Sequence, residues 1–298
     1  MIYQLIKLAL ILGLSQAWAH DSDQAADDKC LNSYLSLLPP NTALVIEINN
    51  FKVNRGLGAY QGAFSAPDLP PELLFRTRLD TLTPDQHWID VGCGLCRAAM
   101  QFLEERGYDF TRDWSGIATP RAPRITGLSL SEDFQSESKP FVEAYRNMRA
   151  NAPTGRPRVL IGTPVETIPN PLVEIGRANL ITDVFGAFSY SPRIDLVLQR
   201  YLELLEPGGV AYVVTPLQQN SINIKDAAGN AVRLEEYVSR IRGAEIQVHR
   251  IAKPNENNPR AFLTIRRNSE APAVPELQLR YMETYTPPRR FFRLNSAD

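Results

Sequence analysis

From Pro70 onward, short apolar runs alternate with segments whose apolar residues recur every three or four positions. The runs predict strands near Trp88–Val91, Ile125–Leu130, Arg158–Ile161, Leu180–Val184, Val210–Thr215, Ala244–Ile251 and Ala261–Arg266. Strands alternating with amphipathic helices are the pattern of βαβ units, which build a parallel sheet covered on both faces. The expected fold is therefore α/β, a doubly wound, mostly parallel seven-stranded sheet. The clearest helix lies in "SPRIDLVLQRYLELLEPGG", with Ser191 as N-cap, Pro192 at the first helical position and Gly208 beyond the end. Ile194, Val197, Leu198, Tyr201, Leu204 and Leu205 form one buried stripe on it.

Outside this region the pattern changes. "MIYQLIKLALILGLSQAWAH" combines Lys7, an apolar run from Leu8 to Leu14 and the small residues Ala17 and Ala19. This is the pattern of a secretory signal peptide cleaved near Ala19. The run falls short of the roughly 20 apolar residues that a spanning helix needs, so no stable membrane span is expected. The predicted organisation is a signal peptide over 1–19, a leader and lid segment over 20–69, the α/β domain over 70–268 and a C-terminal tail over 269–298. That tail is punctuated by proline and ends in a basic-aromatic cluster, Arg289 to Arg293. It is expected to pack against the domain.

Composition adds limits. The 298 residues are 44% hydrophobic with a formal charge of −1, which fits a soluble globular protein and gives no electrostatic case for nucleic acid. The expected partner is a small molecule or lipid. Export would allow disulfides to persist, so the three cysteines matter. Cys30 stands alone, while Cys93 and Cys96 are spaced C-x-x-C. The pair reads as a redox couple, half a metal site or two small residues in a tight turn. No second C-x-x-C or histidine cluster is available to complete a zinc site, so no metal is expected.

The pair lies in "HWIDVGCGLCRAAMQFLEERG", residues 87–107, which reads as strand, glycine turn and helix. Such a turn presents backbone N–H groups and a helix N-terminus to an anionic or polar ligand. A dinucleotide fingerprint would need glycine at 97, where the chain has Arg97, and no phosphate-loop Gly-Lys-Ser or Gly-Lys-Thr follows.

What remains is D-x-G-x-G. "WIDVGCGLCRAA" resembles the first motif of the class I S-adenosylmethionine-dependent methyltransferases. "RITGLSLSEDF", "RVLIGTPVETIP", "ANLITDVFGAFSY" and "YLELLEPGGVAYVV" resemble, in order, the family's second to fifth strands with their turns. The resemblance implies S-adenosylmethionine as cofactor, with Asp90, Gly92 and Gly94 around its amino-acid end. Cys96 takes the place of a third glycine, and both cysteines are small enough to act as spacers. Ser129 stands where the family usually carries the ribose-binding acid, with Glu132 or Asp133 as substitutes. Thr163 replaces the acid beside the adenine, with Glu166 nearby.

The implied reaction is in-line attack on the sulfonium methyl group, for which the protein must mainly align donor and acceptor. Substrate-facing groups belong at the carboxyl ends of the strands. That places Asp183, Phe185, Phe188 and Tyr190 on the acceptor side, with Tyr60 or Gln61 from the lid. Asp183 is the candidate base and Tyr190 the second catalytic candidate. The two phenylalanines suggest an apolar or planar acceptor. An exported module that keeps the fold without catalysis, and a thiol-dependent redox protein, are the competing functions.

Overall fold

The computed structural model describes residues 55–66, 68–110, 122–130, 134, 137–151, 158–217, 222–251, 260–268, 271–282, 284 and 289–295. The expected signal peptide, Cys30, Glu132 and Asp133 lie outside the described residues.

In chain order, helices α1 (Leu57–Ala63) and α2 (Phe75–Asp80) lead into β1 (His87–Val91), α3 (Arg97–Glu105) and β2 (Arg124–Ser129). Next come α4 (Lys139–Asn151), β3 (Arg158–Ile161), a 3-10 turn at Val165–Thr167, α5 (Pro171–Glu174) and β4 (Ala178–Val184). The second half contains α6 (Ala187–Tyr190), α7 (Ile194–Leu204), β5 (Leu205–Pro216), β6 (Ile224–Lys225), β7 (Ala231–Val232) and α8 (Leu234–Ser239). It closes with β8 (Ala244–Ile251), β9 (Arg260–Arg267), β10 (Leu277–Met282) and β11 (Arg289–Leu294).

Seven strands form one sheet in the order β3-β2-β1-β4-β5-β9-β8. The strands from β3 to β5 are parallel neighbours, and β9 runs antiparallel to both β5 and β8. The chain moves outward from β1 to β2 and β3, then returns to the other side of β1 for β4. The switch point of the sheet therefore falls at the carboxyl ends of β1 and β4, where α/β sheets hold their ligands.

All five residues of β1 are buried, and strand alternation sends them to opposite faces. Trp88 joins Leu180, Tyr212 and Phe262 under α1, α2 and α3, a face rich in packed rings. Tyr60, Phe64, Phe75 and Phe102 complete that aromatic cluster, with ring centroids 5.0–6.5 Å apart. Ile89 and Val91 join Ile181, Val213, Val197 and Leu198 on the other face, which is mostly aliphatic. The core continues upstream of residue 70: Leu57, Tyr60 and Phe64 are buried in it. The lid segment is thus a wall of the domain where it is described.

The C-terminal stretch does more than pack as a tail. β10 and β11 pair with β6 and β7 in a second sheet, ordered β10-β11-β6-β7, whose Leu277, Phe292 and Leu294 enter the aliphatic core. Proline punctuation hid these strands from the pattern reading. The main helix also starts later than expected. Its N-cap is Arg193, because the Ser191 hydroxyl donates to Glu166 Oε1 (2.5 Å) and accepts from the Arg193 N–H outside the helix.

Candidate functional site

The turn after β1 is set by backbone conformation. Gly92, Gly94 and Cys96 have φ of +74°, +56° and +50°, a left-handed residue at every second position. Glycine adopts this region freely and other residues rarely do, so Cys96 does occupy a glycine's conformation. Gly92 N–H and Cys93 N–H both donate to the Leu128 carbonyl on β2, which fixes the turn above the sheet. A methyl group on Gly92 would lie 2.7 Å from the Gly186 Cα, so the turns after β1 and β4 touch through two glycines. Cys96 is the N-cap of α3.

The cysteines are not merely spacers. Cys93 and Cys96 are joined in a disulfide, with Cα atoms 4.6 Å apart, inside the turn itself. Left-handed geometry at Cys96 folds the chain back far enough to bring the two side chains together. The spacing alone could not decide this, since C-x-x-C fits every one of the readings it raised.

Asp90 sits at the penultimate position of β1 and is fully buried. Trp88 Nε1–H donates to Thr182 Oγ1 (2.8 Å), and the Thr182 hydroxyl donates to Asp90 Oδ1 (2.7 Å). The Tyr60 hydroxyl of α1 lies 2.9 and 3.1 Å from the two carboxylate oxygens. α1 is tethered a second time, since Leu57 N–H donates to Gln101 Oε1 of α3 (2.6 Å). Burial pushes the Asp90 carboxyl up to about 7, against the lowering effect of its two hydroxyl donors, and the nearby Asp183 adds to the rise. Burial, then Asp90, likewise holds the Tyr60 phenol well above its ordinary range.

Asp183, the candidate base, has a different place. Its carboxylate accepts from Gly186 N–H (2.6 Å), Phe188 N–H (2.8 Å) and the Tyr201 hydroxyl of α7 (2.6 Å), and it is fully buried. Burial pushes its carboxyl up to about 6. Three converging donors make Asp183 the organiser of the loop after β4, in place of the proton acceptor expected from the sequence. The loop needs one: Phe185 is held at φ +53°, a conformation that costs free energy in any side-chain-bearing residue. Gly186 is equally constrained, since a Cβ there would meet Asp183 Oδ1 and the Val91 carbonyl.

Phe188 is part of the aliphatic core and cannot face an acceptor, whereas Phe185 is half-buried. Tyr190 ends α6 on the same loop, half-buried. Gln61 is exposed, and Tyr60 is the lid residue that reaches inward. Arg55 completes this wall, a residue that motif reading had no means to find. Its guanidinium lies 5.1 Å from the Phe185 ring centroid and donates to the Val184 carbonyl (3.2 Å). It lowers the carboxyl of Asp183 electrostatically.

On the other side, Ser129 ends β2, buried and in register with Ile161 of β3. Thr163 follows β3 and donates to the Ile161 carbonyl. Glu166 departs from the cofactor-binding role given to it: it is buried beside the aliphatic core and receives the Ser191 hydroxyl. That bond ties the β3 loop to the entry of α7. Among the described residues no group of three or more His, Cys, Asp or Glu side chains is placed to hold a metal ion. Among them, too, no helix is long and apolar enough to cross a membrane.

No protein-family model matches the chain, and no curated protein sequence matches it. Among solved structures it is similar to an rRNA methylase from Streptococcus thermophilus, at 12% identity over 68% of this chain and 100% of that one, with a TM-score of 0.39. It is also similar to a precorrin-6y C5,15-methyltransferase from Geobacter metallireducens, at 14% identity over 68% of this chain and 93% of that one, with a TM-score of 0.32. These likenesses are distant, and the strand order carries the assignment of fold. With six strands running one way, a single reversed strand and the D-x-G-x-G turn at the switch point, the chain has a doubly wound, Rossmann-like fold, the one expected from its resemblance to the class I S-adenosylmethionine-dependent methyltransferases.

Proposed function

We propose that the chain transfers a methyl group from S-adenosylmethionine to an acceptor that packs on Phe185. The observation that carries this reading is the Asp90-Val91-Gly92-Cys93-Gly94 turn at the switch point between β1 and β4, with its run of left-handed residues and its buried carboxyl. The bound cofactor would supply an already activated methyl group. The residues present fit its amino-acid end. A carboxyl pushed up to about 7 by burial is stabilised in its charged form by an ammonium group, and the Tyr60 and Thr182 hydroxyls can rotate to share it. The N-terminus of α3, which follows the turn, suits a carboxylate. Ser129 offers the ribose one hydrogen bond in place of the stronger charge-assisted pair that a carboxylate makes.

The remaining residues position and shield. Asp183 holds the loop after β4 in shape through two backbone N–H groups, and so sets where Phe185 and Tyr190 stand. Arg55 lies against Phe185 at the end of β4 and provides a cation beside an apolar ring. Tyr60 covers Asp90 from the α1 side and keeps water from it. With Asp183 fully bonded, this site favours acceptors that need no strong base. The protein is further proposed to act after export, with cleavage near Ala19.

One observation favours the alternative of a non-catalytic binding module with the same fold: the carboxylates of Asp90 and Asp183 are already satisfied within the chain. Calorimetric titration with S-adenosylhomocysteine, followed by a radiolabelled methyl-transfer screen against small apolar and aromatic acceptors, separates the two. Binding with turnover supports transfer. Binding to any adenosyl ligand without turnover across the screen supports the module.

A further inference from the structure

The disulfide is unexplained by methyl transfer, and its surroundings give it a task. Its sulfurs lie directly over Gly127, where any side chain would collide with both of them. Gly127 lies in the middle of β2 and is the pair partner of Asp90. Both cysteines are buried, in the same core as Leu95 and Ala99. The two sulfurs therefore fill the space above β2 at this point, and its floor is the backbone of a strand paired on both sides.

Cys96 adds the second constraint. It is held at φ +50°, which a non-glycine residue leaves when nothing retains it. The disulfide holds its side chain, while its backbone is held by the bond from Cys96 N–H to the Cys93 carbonyl (2.8 Å) and by the Met100 N–H of α3, which donates to the Cys96 carbonyl (3.0 Å). Once the sulfurs separate, Cys96 can relax, and the turn formed by Gly92 and Gly94 relaxes with it.

We propose that Cys93–Cys96 is a reversible modification site that takes a dithiol and sets the shape of the ligand-binding turn. The disulfide form is the binding form. This rests on the cofactor reading of that turn, although the effect on the turn itself does not. A thiolate of the dithiol attacks the Sγ of Cys93, the slightly less buried residue of the pair, and the Cys93–Cys96 bond breaks. The Cys96 thiolate leaves at the N-terminus of α3, where the helix dipole favours negative charge. The second thiol of the reagent then displaces Cys93, closing a cyclic disulfide on the reagent. The protein gains two electrons and two protons and ends with two thiols, while the reagent loses the same. Burial makes opening of the turn the slow step, so the oxidised form persists until a reductant is in excess.

The test uses the full mature chain, oxidised in air or reduced with dithiothreitol and kept anaerobic. Hydrogen exchange over residues 90–100 is measured first without ligand, then S-adenosylhomocysteine is titrated into both forms. The expected result is faster exchange confined to the turn on reduction, with affinity at least about tenfold weaker and restored by reoxidation. A Cys93→Ala variant should match the reduced protein in either buffer. Free thiols at 93 and 96 in the air-oxidised protein overturn the proposal, and so does unchanged exchange on reduction. Faster exchange with equal affinity overturns the link to binding. If neither form binds but exchange responds, the redox lock on the turn stands and the cofactor reading falls.

Discussion

The carboxyl ends of β1 and β4 each bury one aspartate, and the two differ in what holds them. Asp90 is in register with Thr182, and Asp183 with Val91, so alternation turns their side chains to opposite faces of the sheet. Asp90 meets hydroxyl groups from a neighbouring strand and from α1. Asp183 meets two backbone N–H groups of its own loop and the Tyr201 hydroxyl. A hydroxyl can turn to share its acceptor with an incoming ligand, whereas a backbone N–H can leave only if the loop changes shape. The first carboxyl is therefore suited to binding and the second to architecture. Position at a strand end does not distinguish them; the donors do.

The largest expected effect tests the architectural half. Asp183→Ala leaves three buried donors without an acceptor, at about 1–3 kcal/mol each with partial relief from water. Its cost should be about 3–5 kcal/mol in urea denaturation. A loss below about 1 kcal/mol would remove the distinction between the two aspartates. Asp90→Asn tests the binding half. It keeps the hydrogen bonds and removes the charge, so the fold should persist while S-adenosylhomocysteine affinity falls about tenfold or more by calorimetry. Retained affinity would mean that the turn binds without its carboxyl.

Next comes the close approach at β2. Gly127→Ala should cost about 1–3 kcal/mol as an overpacking change and lower the yield of the Cys93–Cys96 disulfide, read by mass spectrometry of the alkylated protein. The pH dependence sharpens the comparison further. Both carboxyls lie above their ordinary 3.8 in the folded protein, Asp90 at about 7 and Asp183 at about 6. Between those limits the folded state binds more protons than the unfolded state, so stability should fall as pH rises from about 4 and level off above about 7. Asp90→Asn should flatten the upper part of that curve, seen in melting scans. The smallest effect concerns the ribose end: Ser129→Asp should tighten cofactor binding several-fold if Ser129 faces the ribose, and leave it unchanged if it does not.

Much of this was written in local pattern. The seven strands of the main sheet appear within two residues at most ends, because each is a run of apolar residues bounded by turns; β5 alone extends well upstream, to Leu205. The D-x-G-x-G turn was legible for the same reason, since positive φ selects glycine at 92 and 94. Residues whose roles depend on distant partners were not. Tyr60 lies thirty positions from Asp90, and Arg55 meets Phe185 across the whole first half of the fold. Asp183 looked like a base because its position suited one, and only the convergence of Gly186, Phe188 and Tyr201 on it reveals the loop organiser. The second sheet escaped notice because its strands are short or separated by proline, and its partners are far apart in the chain.

The most direct test of the account is calorimetric titration of S-adenosylhomocysteine into the oxidised mature chain at pH 6 and pH 8, beside Asp90→Asn. Saturable binding on the order of micromolar, stronger at pH 8 as Asp90 ionises and weak in the variant at both, is the predicted result. No binding by the wild-type chain at either pH, or equal binding by the variant, would contradict the assignment of Asp90 and its turn as the cofactor site.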